Sequence, residues 1–105
     1  MVRKISEYDW YTDYEDDVFN HDKSVVIIFS ADWCESCHKL LEALEDHAFS
    51  VEVLNIDADE CDSLADEHSV TSLPVIITYE HGDITNQWNN NYRTDEVIEY
   101  IENMR

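Results

Sequence analysis

Ser24-Val-Val-Ile-Ile-Phe-Ser30 runs directly into Ala31-Asp32-Trp33-Cys34-Glu35-Ser36-Cys37-His38-Lys39, and the fold is decided at that junction. The first stretch is short and β-branched, with no polar residue between its two serines. A strand covered on one face alternates apolar with polar; one covered on both faces has no need to. Residues 24–30 therefore predict a central, doubly covered strand. After the junction the period changes. Cys37, Leu40, Leu41, Leu44 and Ala48 recur at helical spacing and share one face. Glu35, Lys39, Glu42, Glu45 and Asp46 fall mostly on the other. A buried strand feeding a helix is a building unit of a layered α/β sheet.

The flanking sequence supplies the rest of such a sheet. Val2–Ile5 predicts a short first strand. Trp10–Phe19 carries Trp10, Tyr11, Tyr14, Val18 and Phe19 at roughly helical spacing, and Asn20–Ser24 breaks the pattern. Val51–Asp57 alternates and predicts a second buried strand. Glu60–His68 predicts a short acidic helix with Cys61, Leu64 and Ala65 turned inward. The only proline, Pro74, precedes a strand at Val75–Tyr79. The only glycine, Gly82, lies in Glu80-His81-Gly82-Asp83, a hairpin signal, and Ile84–Asn89 is the return strand. Thr94 is expected to cap a last helix with Val97, Ile98, Ile101 and Met104 as its stripe. The order is β-α-β-α-β-α-β-β-α, an α/β fold with a mixed sheet. Its strands are parallel in the first part, and the hairpin adds an antiparallel edge. The 105 residues suffice for one domain spanning 1–105.

Charge narrows the function classes. Six Lys plus Arg against 25 Asp plus Glu give a net charge of −19. That field repels phosphate backbones and anionic membranes, so nucleic acid and membrane surfaces are excluded as partners. The acids are spread along the chain, from Glu7, Asp9, Asp13, Glu15, Asp16 and Asp17 to Asp57, Asp59, Glu60 and Asp62. A solvated acidic surface is the plain reading, with high salt as one cause. Steering toward a cationic partner is the sharper one, and mimicry of DNA the weakest. Met1–Tyr8 lacks the apolar run of a signal peptide. The longest aliphatic–aromatic run, Val25–Phe29, is far too short to span a membrane. A cytoplasmic monomer is expected. Three cysteines, an odd number, argue for a redox pair plus a spare thiol.

Cys34 and Cys37 can close a disulfide at the start of the predicted helix. The first turn of a helix has free N–H groups and a partial positive charge, and both stabilise a thiolate. Cys34 is thus the candidate nucleophile at the exposed end. Cys37, on the apolar stripe, is the candidate resolving thiol. Attack by Cys34 forms a mixed disulfide, and Cys37 then displaces the reduced substrate. A metal half-site is the alternative. Cys61, His21, His38, His47, His68 and His81 could add ligands, but no second Cys-x-x-Cys or close histidine pair completes a four-ligand set.

Several segments resemble the thioredoxin family. They are Phe29–Lys39 (FSADWCESCHK), Val53–Asp59 (VLNIDAD), Ser72–Val75 (SLPV) and Glu80–Asp83 (EHGD), in order over nearly the whole chain. The resemblance implies a thioredoxin-like fold, a central mixed sheet with helices on both faces. It implies dithiol–disulfide exchange with no cofactor beyond the Cys34–Cys37 disulfide itself. It implies disulfide-containing protein substrates and a thioredoxin reductase or similar dithiol donor. It also gives Pro74 a cis peptide bond opposite the cysteines, with the Leu73 backbone offered to a substrate peptide. An ordinary trans proline is the alternative. Trp33 would floor the apolar surface around the sulfur, partly exposed.

The chain departs from the family pattern at several points. Glu35-Ser36 replaces the common Gly-Pro between the cysteines. Glu35 places negative charge beside the thiolate and opposes it, favouring a more reducing couple. His38, four residues after Cys34, would favour the thiolate if protonated; a plain surface residue is the equal alternative. Ile28 stands where many members bury an aspartate assigned to proton transfer with the resolving cysteine. Slower thiol exchange at neutral pH is the consequence. Glu42 replaces a helix-kinking proline, and Asn89-Asn90-Asn91 replaces a glycine lining the groove. Cys61 reads as structural, with a regulatory thiol as the lesser alternative. Three functions compete: a protein disulfide reductase, a disulfide oxidant or isomerase, and a thioredoxin-like binding module whose acidic face takes a basic partner.

Overall fold

The computed structural model describes residues 2–16 and 23–104. The doubly covered strand is there: β2 (Ser24–Ser30) is buried at every position. Burying five consecutive large aliphatic or aromatic side chains, Val25 to Phe29, is worth on the order of 10 kcal/mol. That matches the net stability of an average domain, so β2 has to lie at the centre.

The other strands are β1 (Val2–Ile5), β3 (Glu52–Asp57), β4 (Val75–Glu80) and β5 (Asp83–Asn89), in the order β1-β3-β2-β4-β5. β3 runs parallel to both β1 and β2, and β4 is antiparallel to both β2 and β5. Phe29 pairs with Ile56 on one side and Val75 on the other, and the β2–β3 ladder ends at Ser30–Asp57. Alternation along β2 sends its side chains into two separate cores. Val25, Ile27 and Phe29 pack with Trp10, Leu54 and Leu64. Val26 and Ile28 pack with Leu40, Leu44, Val97 and Ile101. The first core is covered by Trp10 and Tyr14 in the turn that follows α1 (Glu7–Asp9) and by α3 (Asp62–Glu67). The second is covered by α2 (Glu35–Glu45) and α4 (Thr94–Glu102).

Several boundaries differ from the sequence expectation. The first helix starts at Glu7, not Trp10, because Ser6 and Asp9 form a reciprocal capping box. Asp9 donates its N–H to Ser6 Oγ at 3.1 Å, and Ser6 donates its N–H to Asp9 Oδ2 at 3.0 Å. The helix then widens to a π turn over Trp10–Tyr14. A turn of that width breaks the 3.6-residue stripe: Trp10 is buried, Tyr14 half-buried and Tyr11 exposed. Val18, Phe19 and Asn20–Asp22 lie outside the described residues, and Ser24 belongs to β2. β3 begins at Glu52, one residue after Val51, and α3 is shorter at both ends than Glu60–His68.

α2 ends at Glu45, so Ala48 lies past the helix and is exposed. Glu42, Glu45 and Asp46 crowd its C-terminal end, where the helix dipole disfavours negative charge. Leu41 is half-buried. Thr94 does not cap the last helix. Arg93 holds the extended N-cap position without a side-chain bond, and Thr94 is already helical. Asp95 and Glu96 in the first turn suit the dipole instead. The hairpin closes through His81 (φ 55°) and Gly82 (φ 85°). A two-residue type I′ turn needs positive φ at both positions, which explains the glycine.

Candidate active site

The β2 ladder stops at Ser30, and Ala31–Cys34 turns the chain, with Cys34 donating its N–H to the Ala31 carbonyl at 3.1 Å. Cys34 then stands at the N-cap of α2 in extended conformation. Its sulfur accepts the N–H of Cys37 at 3.3 Å, the task an oxygen performs in an ordinary cap. Cys34 and Cys37 are joined as a disulfide, with Cα atoms 5.3 Å apart. Cys37 is fully buried and Cys34 is 6% exposed. Cys34 is thus less exposed than its helix-end position suggested, because Ala31, Cys37 and Leu73 pack around it.

Leu73 belongs to the opposite wall. The Leu73–Pro74 peptide bond is cis. Among the described residues, neither the N–H nor the C=O of Leu73 has a hydrogen-bond partner. The Pro74 carbonyl accepts the N–H of Asn90 at 3.0 Å. Of Asn89, Asn90 and Asn91, only Asn90 has positive φ (68°). Such a left-handed position favours glycine, and asparagine tolerates it better than most residues.

Trp33 is 71% exposed, more open than expected, and its indole N–H donates to Asp59 Oδ2 at 2.8 Å. Asp59 was not singled out for this role from the sequence. It is placed by Asp57, whose buried carboxylate accepts the N–H groups of Asp59 at 2.8 Å and Glu60 at 3.1 Å. An Asp two residues before Asp59 at a strand end is an Asx-turn signal that could have revealed it. Trp33, Leu73 and Ala58, with Asp59, Asp62 and Asp66, line a cleft of about 240 Å³.

His38 is exposed. Its Nε2–H donates to the Asp32 carbonyl at 2.8 Å, tying the ring to the turn ahead of the helix. Glu35 is exposed at the first helical position, where negative charge suits the dipole. Ser36 Oγ lies 3.4 Å from Cys34 Sγ. Tyr92, not anticipated from the sequence, donates its O–H to the Ser36 carbonyl at 3.2 Å. Ile28 is fully buried in the core with Val53 and Leu40. Glu42 is an ordinary exposed residue of α2.

Cys61 is a free, buried thiol. Burial first, then the negative charge of Glu7, Glu60 and Asp57, pushes its pKa up, which disfavours the reactive thiolate. His21 lies outside the described residues. Among the described residues no group of three or more His, Cys, Asp or Glu could hold a metal ion.

The family model described as Thioredoxin matches residues 7–103. The chain belongs to the thioredoxin family. A thioredoxin of Streptomyces clavuligerus is 30% identical over 74 residues, 68% of this chain and 69% of that one. A thioredoxin of Rickettsia bellii is 26% identical over 94 residues, 86% of this chain and 90% of that one. A solved mutant thioredoxin from Halobacterium salinarum NRC-1 has a TM-score of 0.78 at 24% identity, covering 96% of this chain and 88% of that chain. This thioredoxin-family protein is a thiol–disulfide oxidoreductase with a thioredoxin-like fold. Thioredoxins work with their own redox-active disulfide and need no cofactor. Family membership implies disulfide-bearing protein substrates and a reductase partner in general terms. Among the described residues no helix is long and apolar enough to cross a membrane.

Proposed function

We propose that this protein reduces protein disulfides with Cys34 as the attacking thiol and Cys37 as the resolving thiol. The observation that carries this reading is the asymmetry of the pair. Cys34 Sγ sits at the N-cap of α2, where N–H groups and the helix dipole favour negative charge, whereas Cys37 is wholly buried. The Cys34 thiolate attacks one sulfur of the substrate disulfide, and the other substrate sulfur leaves as a thiolate and takes up a proton. Cys37 gives up its proton and attacks Cys34 Sγ. The second substrate thiolate leaves, and two electrons have passed from the dithiol to the substrate. The free backbone of Leu73 beside cis Pro74 is the strand-like dock for the substrate, and exposed Trp33 is its apolar floor. Glu35 opposes the thiolate and biases the couple toward reduction. His38 shapes the turn through Asp32.

Equilibration against glutathione tests the direction. A potential near about −270 mV is expected for a reductant, and one near about −120 mV would mark an oxidant.

The finer partner reading rests on the cleft. Asp59, Asp62 and Asp66 surround an apolar floor next to the disulfide, on a chain of net charge −19. Substrates with Lys or Arg beside the attacked cysteine fit it. Their reduction rate should fall about tenfold between 0.05 and 0.5 M salt, as screening removes electrostatic steering. A neutral-flanked substrate should change little, and equal salt dependence for both would contradict the reading. The acidic field also supports a monomer that binds neither nucleic acid nor membrane. The unpaired Cys61 supports a reducing compartment, the cytoplasm, with a thioredoxin reductase as electron donor. Residues 1–105 act as one domain.

A further inference from the structure

Ser36 Oγ stands 3.4 Å from Cys34 Sγ, and a disulfide sulfur carries no proton to give. The hydroxyl is therefore the donor. Ser36 is exposed at the second position of α2, where its O–H could equally turn to water. Its peptide, however, is held from outside the helix. Tyr92, in the loop between β5 and α4, packs its ring partly against the α2–α4 core and donates its O–H to the Ser36 carbonyl at 3.2 Å. A carbonyl oxygen has two lone pairs, so this bond leaves one for the helix ladder. The same loop donates the Asn90 N–H to Pro74. Residues 90–92 thus brace both walls of the redox site.

We propose that Ser36 donates its hydroxyl hydrogen bond to the Cys34 thiolate of the reduced protein, and that Tyr92 is the positioning residue that keeps it aimed there. The inference rests on Cys34 as the attacking thiol. It supplies a counterweight to Glu35. The charge that opposes the thiolate and the hydroxyl that supports it are adjacent residues, and the Cys37 N–H is the second donor to the same sulfur. Hydrogen bonds to an ionised acceptor are stronger than those to a neutral one, so the contact strengthens when Cys34 loses its proton.

The test is the pH dependence of iodoacetamide alkylation of the fully reduced protein, with the labelled cysteine assigned by peptide mass. Ser36→Ala should raise the Cys34 titration midpoint by about one pH unit, and Ser36→Thr, which keeps the hydroxyl, should leave it in place. Tyr92→Phe keeps the ring and should raise the midpoint by about half a unit, but by nothing when Ser36→Ala is already present. An unmoved midpoint in Ser36→Ala, or the same shift in Ser36→Thr, overturns the Ser36 role. A Tyr92→Phe shift of equal size in both backgrounds overturns the positioning role. Labelling of Cys37 ahead of Cys34 would instead overturn the assignment of the attacking thiol, on which the inference depends.

Discussion

Cys34→Ser is expected to lower turnover of a protein disulfide by about a thousandfold or more, to the rate of the dithiol donor alone. A serine hydroxyl is not ionised near neutrality and does not attack sulfur. The two remaining thiols offer no substitute. Cys37 is fully enclosed beneath Cys34. Cys61 is buried at the N-cap of α3, and its pKa is pushed up by burial and neighbouring carboxylates. Cys37→Ser should lose turnover to a similar degree for a different reason. It completes the first attack and stalls as a mixed disulfide, because no second protein thiol stands within reach of Cys34 Sγ and only the slower attack of dithiothreitol from solution can release it. A dithiothreitol-driven insulin turbidity assay separates both variants from the parent.

Ile28→Asp is expected to destabilise the fold by about 4 kcal/mol at neutral pH. Ile28 is sealed in the core formed with Leu40, Leu44, Val53 and Ile76. The substitution removes apolar contacts and puts a carboxyl group in their place. For a domain of this size that loss lowers Tm by roughly 15–30 °C. Burial disfavours the ionised form and raises the folded-state pKa above the unfolded value. The folded variant therefore holds its proton more tightly. Its deficit against the parent should be smallest below about pH 4, grow as pH rises to the folded-state pKa, and level off above it. Urea unfolding of both proteins at several pH values reads this directly; a deficit independent of pH would contradict it. In the folded fraction, the acid that the family resemblance expects at this position should speed disulfide reduction at neutral pH. No acceleration would contradict the expectation that Ile28 slows exchange.

The central strand and the Cys34–Cys37 site were legible because both are local patterns. An apolar run without alternation admits few fates, and two cysteines three apart at a strand-to-helix junction set their own geometry. The element order and the sheet type followed from the same period changes. What escaped the sequence lay at element ends and in long-range contacts. Ser6 and Asp9 start the first helix, yet the apolar spacing pointed to Trp10. Thr94 has the right chemistry for a cap, but Arg93 takes the extended conformation. Ala48 continued the stripe on paper after the chain had left the helix. Around the disulfide, Asp59 reaches Trp33 across 26 residues, and Tyr92 reaches Ser36 across 56. Nothing in a local window pairs such residues, because the sheet register and the β5–α4 loop bring them together only once the core has formed. Asn90 was visible as a departure from glycine, but not as the residue that both adopts positive φ and bonds Pro74.

Which sulfur meets the substrate first decides the mechanism. Reduced Cys37→Ser protein, mixed with a disulfide-bearing substrate, quenched in acid and digested, should yield one dominant linked peptide containing Cys34 joined to a substrate cysteine, whereas reduced Cys34→Ser protein should yield no link through Cys37. A dominant link through Cys61 in Cys37→Ser, no adduct in that variant, or a comparable Cys37 link in Cys34→Ser would contradict it.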